Sequence, residues 1–118
     1  MADTLSRLQA EAVAFRDARA WGPFHQPKDL VLGLVAEAGE LAEVVLWRSP
    51  EELDGLRRDG PLRQRAADEM ADVLVFLLYL AEHTGLDLAA AVRAKLVQNA
   101  LKYPVEKARG SARKYDEP

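Results

Sequence analysis

Cysteine is absent from this 118-residue chain, which excludes a disulfide scaffold, a zinc–thiolate centre and a cysteine nucleophile. Histidine is scarce: His25 and His83 are the only two, and neither stands three residues after a glutamate. That spacing is what carboxylate-bridged di-iron bundles use, so iron chemistry is disfavoured. There is no glycine-rich phosphate loop and no Ser-His-Asp set. Basic charge is not in excess either. The net charge is −3 with no basic stripe, so no nucleic-acid partner is expected. The longest apolar run, 73–81, is too short to span a bilayer. The opening stretch MADTLSRLQAEAVAF lacks a basic segment leading into an apolar one, the mark of a secretory leader. A soluble cytoplasmic protein with no membrane contact is the expectation.

What the chain does have is helical periodicity, and no segment reads as a strand. Leu5, Leu8, Ala12 and Phe15 recur at three- and four-residue steps and predict a first helix from about Thr4 to Ala20. Gly22, Pro23 and Pro27 interrupt the pattern. A second helix is predicted from 27–29 to Trp47, and a third from Leu62 to His83, stopping at Gly85. Between them Ser49-Pro50-Glu51-Glu52 reads as a capping box with proline at the first helical position, which predicts a short helical turn. Asp87 caps a fourth helix that ends before Pro104. Residues 1–104 are read as one domain, and 105–118 as a charged C-terminal arm or frayed tail.

Carboxylates lie inside the most apolar stretches. Glu37 shares a helical stripe with Leu30, Leu34, Leu41 and Val44, and Glu40 shares one with Val44 and Trp47. In DEMADVLVFLLYLA, Glu69 and Asp72 repeat the spacing, with Phe76 one turn beyond. Residues three apart on a helix are neighbours, so each pair projects from one patch. Carboxylates on core-facing stripes lose several kcal/mol of hydration, and four converging ones repel. A divalent cation offsets both costs, and an all-oxygen donor set suits Mg²⁺, with Mn²⁺ also possible. Glu43 could complete the site or support it, whereas Asp68 is read as exposed. An antiparallel pairing of helices two and three would bring the two patches together.

Lys95, Asn99 and Lys102 stand on one face of helix four, followed by Tyr103. Beside a metal site, two cations and an amide suit a phosphate chain. Trp21, Phe24 and His25 in the first loop, with Trp47 and Phe76, are candidates for a nucleoside pocket, because an indole offers a flat face to a base.

Together the phrases FHQPKDLVLGLVAEAGELAEVVLW, ADEMADVLVFLLYLA, KLVQNALKYP and SARKY resemble the MazG-like all-α nucleoside triphosphate pyrophosphohydrolases, most closely the dCTP pyrophosphatase branch. The resemblance spans about Phe15 to Tyr115. It implies that Glu37, Glu40, Glu69 and Asp72 are magnesium ligands and the catalytic acids. It implies that Trp21, His25 and Trp47 line the nucleoside pocket with Phe24 beside them. Phe76 falls where the branch usually has a tyrosine, and Ala12 where it can have a polar contact, so base and sugar preference are open. The family assembles as a tetramer built from dimers, with sites lined by more than one subunit.

The expectation is therefore a four-helix MazG-like bundle. It is read as a Mg²⁺-dependent hydrolase cleaving a nucleoside triphosphate, dCTP or a modified dCTP first, to the monophosphate and pyrophosphate, a nucleotide-pool cleansing role. The alternatives are a dUTP or broad-specificity pyrophosphatase, or a non-catalytic helical oligomer holding a structural cation. Residues 73–81 are apolar all round, which suggests cover from an oligomer interface, as a homodimer or a homotetramer.

Overall fold

A computed structural model describes residues 3–117 and is all-helical, with no strand among those residues. There are six α-helices among the described residues rather than four. The four long ones are α1 (Thr4–Ala18), α2 (Pro27–Val45), α4 (Pro61–Thr84) and α5 (Leu88–Lys102). The other two are single turns, α3 (Pro50–Leu53) and α6 (Val105–Ala108). The capping box announces α3: Ser49 Oγ accepts from the Glu52 amide at 3.1 Å, and Glu52 Oε1 accepts from the Ser49 amide at 3.3 Å. Nothing in the apolar pattern announces α6, because one turn is too short to show a period.

Helix ends follow local chemistry. Proline occupies the first turn of α2, α3 and α4, where its missing N–H costs nothing. Asp3 and Asp87 cap α1 and α5 through side chains that accept from Ser6 and Ala90 amides. Gly85 ends α4 at φ 71°, the left-handed conformation that glycine adopts without penalty. The end of α2 departs from expectation. The helix stops at Val45, and Arg48 Nε donates to the Val44 carbonyl at 2.7 Å. Trp47 then takes φ 63°, unusual for a residue with a large side chain.

The described residues form two compact units, 3–85 and 86–117. In the first, α2 packs along α4 in an antiparallel pair, with Gly33 against Phe76 and Glu37 near Glu69. Helix α1 runs beside α4 in the same direction. Gln9 Nε2 donates to the Leu78 carbonyl at 3.0 Å, the Tyr79 hydroxyl donates to the Ala12 carbonyl at 3.0 Å, and Arg16 pairs with Glu82 at 3.1 Å. Leu30, Val44, Leu78, Tyr79 and Ala81 are among the buried residues. Residues 73–81 are half-buried or buried within the chain itself, so neighbouring helices supply part of the cover that an interface was expected to give. Exposed apolar side chains in this unit include Leu8 and Phe15 on α1, Val31, Leu32 and Val35 on α2, and Met70 on α4.

Gly33 sets how closely α2 approaches α4. A Cβ there would stand at 3.0 Å or less from three ring carbons of Phe76. Helix propensity alone favours alanine by about 1 kcal/mol, but overpacking a fitted contact costs about 1–3 kcal/mol. Gly33→Ala is expected to lower unfolding free energy by about 1–2 kcal/mol in a denaturant titration. Adding Phe76→Leu should recover part of that loss, and equal losses in the single and double variants would contradict the contact.

Candidate metal centre and aromatic wall

Because α2 and α4 are antiparallel, the middle turns of one face the early turns of the other. One carboxylate oxygen each from Glu37, Glu40 and Glu69 lies within 4.8 Å of the others. Asp72, expected as a fourth member, is outside this grouping, yet its charge acts on both Glu37 and Glu69. Burial also differs from expectation. Glu37 and Glu69 are half-buried, while Glu40 and Asp72 are exposed. The four acids thus sit at the rim of the α2–α4 seam rather than on one core-facing stripe. The spacing gives a side chain's direction around the axis, but not how far the neighbouring helix covers that turn. Glu43 is exposed and outside the grouping, and Asp68 is exposed, accepting from Gln64 Nε2 at 2.9 Å.

The electrostatics are unfavourable without a counter-charge. Burial, then hydrogen bonding and charge from Glu40, push the Glu37 carboxyl above its ordinary range, with Asp72 and Glu69 adding to the effect. The Glu69 carboxyl is pushed up first by Glu40 against it, then by burial and by the charges of Asp72 and Asp68. Oε2 of Glu37 and Oε2 of Glu69 are buried with no hydrogen-bond partner. Buried acceptors of this kind normally find a partner. Hard oxygen donors converging on one point, two of them unpartnered, fit Mg²⁺ or Mn²⁺.

A pH dependence follows. Both carboxyls have folded-state values raised above the ordinary 4.5. Their contribution to stability is therefore fully present below about pH 4.5 and is lost as pH rises through the raised values. In chelator, Glu37→Gln/Glu69→Gln should match the wild type near pH 4 and exceed it in denaturation midpoint at pH 7. Saturating Mg²⁺ should reverse that order. A difference between the proteins that does not vary with pH would contradict the assignment.

From the acids an aromatic series runs along α4. Phe76, half-buried, packs on Gly33 and meets Tyr79 edge-on at 6.4 Å. Tyr79 in turn contacts His25 at 4.8 Å between ring centroids. His25 follows the 3₁₀ turn Gly22–Phe24. Its Nδ1 is buried without a partner, and burial followed by the charge of Arg16 pushes its pKa down, so the ring is neutral near pH 7. Burial raises the Tyr79 phenol despite opposing charges from Arg16 and Arg19. Trp21 is 44% exposed and contacts Phe15 edge-on at 5.9 Å, while the Arg19 guanidinium lies 3.6 Å from the Phe15 ring centre. Phe24 is 71% exposed and Trp47 92%.

These candidates are not all brought together in one chain. Trp21, Phe24 and His25 precede α2 and Trp47 follows it, and a 19-residue helix is about 28 Å long. Lys95, Asn99, Lys102 and Tyr103 belong to the second unit. There Lys95 and Lys102 are exposed and Asn99 half-buried, and Lys102 and Tyr103 line a pocket with the C-terminal arm. Tyr79 and Gly33 were not singled out from the sequence. Tyr79 lies inside an apolar run, and its role depends on the Ala12 carbonyl and the His25 ring, contacts that sequence spacing does not reveal.

Comparison with known proteins bears on this arrangement. The MazG-like family model matches residues 34–117. The dCTP pyrophosphatase 1 of Bos taurus is 45% identical over 115 residues, covering 96% of this chain and 65% of its own length. The human dCTP pyrophosphatase 1 is 44% identical over 117 residues, covering 98% of this chain and 66% of its own. The chain thus spans slightly less than two thirds of these relatives. A pyrophosphatase of known structure from Archaeoglobus fulgidus superposes with a TM-score of 0.77 at 34% identity, over 88% of this chain and 95% of that one.

Proposed function

This chain belongs to the MazG-like family, and from that premise we propose that it is a divalent-metal-dependent pyrophosphohydrolase of nucleoside triphosphates, acting first on dCTP and its modified forms. The observation that carries this reading is the meeting of Glu37, Glu40 and Glu69 within 4.8 Å, two of them with buried, unpartnered oxygens. These three acids, with Asp72 beside them, would hold Mg²⁺. When bound, the ion supplies charge neutralisation for phosphoryl oxygens and acidifies a water for attack at the α phosphorus. Glu40 and Asp72 are exposed and so face the solvent from which the water comes. Glu43, one turn beyond Glu40, is a candidate to take the proton.

Tyr79 lies two turns beyond Asp72 on α4, about 10 Å along the axis, so the wall of His25, Tyr79 and Phe76 extends from the acids in the direction a nucleoside would occupy. The neutral His25 ring suits a base rather than a phosphate. The Tyr79 hydroxyl is already given to the Ala12 carbonyl, and Phe76 has none. Base selection therefore falls to His25 and the exposed indoles, which is why dUTP is the nearest competing substrate. Lys95, Asn99, Lys102 and Tyr103 are proposed as partners of the phosphate chain.

We also propose a homotetramer built from dimers. The exposed Val31, Leu32, Val35 and Met70 supply apolar surface for it. An oligomer also resolves the separation of Trp47 from Trp21 and His25, since a neighbouring chain's Trp47 can complete the pocket. Light scattering that gave a monomer mass would refute the assembly. The chemical claim is tested by presenting deoxy- and ribonucleoside triphosphates with Mg²⁺ and separating the products. Monophosphate plus pyrophosphate, with dCTP turned over fastest, is expected. Diphosphate plus phosphate, or no turnover of any of them, would overturn the reading.

A further inference from the structure

The second unit carries a concavity of about 560 Å³ lined entirely by residues of its own, from Lys102 to Glu117. Its wall includes three lysines, Lys102, Lys107 and Lys114, against one acid, Glu117. This positive lining occurs in a chain whose net charge is −3, so it is not a by-product of a basic composition. The arm that forms it is folded back on the end of α5 by specific contacts. Tyr115 meets Tyr103 edge-on at 6.0 Å, and the Lys102 ammonium lies 5.1 Å from the Tyr115 ring centre. The Ser111 hydroxyl accepts from the Arg113 amide at 3.2 Å, and the Glu117 amide donates to the Lys114 carbonyl at 3.0 Å.

Like charges gathered around one hollow repel, and an anion occupying it removes that cost. A single small anion would reach only one or two cations spread over such a volume. A phosphate chain presents oxygens along a line and can meet several of them at once through charge-assisted hydrogen bonds. We propose that the folded arm of residues 105–117, with Lys102 and Tyr103, is a binding site for a phosphate chain of two or three phosphates. The natural ligand, as substrate chain or released pyrophosphate, rests on the hydrolytic reading given above. The binding itself does not, because the pocket needs neither the acids nor a metal.

The test uses the full chain, stripped of divalent metal, in calorimetric titrations with inorganic tripolyphosphate, pyrophosphate and sulfate. Saturable binding of a phosphate chain at least tenfold tighter than sulfate is expected. Lys107→Gln/Lys114→Gln should weaken it at least tenfold with an unchanged thermal midpoint. Lys107→Arg/Lys114→Arg should retain it, which separates lost charge from lost folding. Tighter binding of tripolyphosphate would assign the site to the substrate chain, and tighter binding of pyrophosphate to the product. Absence of saturable binding, equal affinity for sulfate, or unchanged affinity in the glutamine variant would each overturn the proposal. A protein that binds tripolyphosphate but hydrolyses no nucleotide would leave this inference standing and remove only the hydrolytic one.

Discussion

Glu40→Gln is expected to lower magnesium-dependent turnover of dCTP by about a hundredfold or more while leaving the helical content intact. Groups that merely support metal ligands typically cost about 10–100-fold when lost, and Glu40 is proposed as a ligand itself. A hundredfold corresponds to about 2.7 kcal/mol of transition-state stabilisation. The choice of Glu40 rests on its position between Glu37 and Glu69, since it is the group that acts most directly on the Glu69 carboxyl and is next after burial on Glu37. It is also exposed, so its replacement leaves the α2–α4 packing alone. Steady-state kinetics over a range of Mg²⁺ concentrations checks this. A metal ligand gives a loss partly recovered at high Mg²⁺ or Mn²⁺, whereas wild-type turnover in the variant would remove Glu40 from the site.

Trp47→Ala should weaken nucleotide binding by about 1–3 kcal/mol, the range for loss of one stacked base. In the same protein, chain stability should hardly change, because the indole is 92% exposed and has little packing to lose. Trp47→Gly should raise stability, since φ 63° is a conformation glycine adopts freely and tryptophan does not. A strained, fully presented indole is poor design for a core and good design for a contact. Titration of a non-hydrolysable dCTP analogue, paired with denaturation of each variant, separates the two effects. An unchanged affinity with a lowered oligomer mass would assign the indole to the subunit interface alone.

Much of the helical scaffold was legible because apolar periodicity, prolines at helix starts and Gly85 all point the same way. The antiparallel meeting of Glu37 with Glu69 followed from the repeated spacing in α2 and α4. What spacing could not supply was depth. Glu40 and Asp72 lie on stripes shared with apolar residues, yet both are exposed, because cover depends on where the neighbouring helix ends. The left-handed turn at Trp47 was equally hidden. It stands beside the hydrogen bond from Arg48 back to the Val44 carbonyl, and no apolar pattern reports such a bond. In 73–81, an all-apolar surface suggested a partner chain; α1 and α2 cover part of it, and Val73 to Leu77 stay half-buried. The arm read as a charged tail because its contacts pair Tyr115 with Tyr103 and Lys102, which neither period nor composition records.

The most direct test of the metal-dependent reading is dCTP turnover by the wild-type protein with Mg²⁺, repeated after an excess of chelator. The account predicts deoxycytidine monophosphate and pyrophosphate in equal amounts with Mg²⁺, loss of nearly all turnover in chelator, and recovery when Mg²⁺ is restored. Full turnover in excess chelator would contradict it.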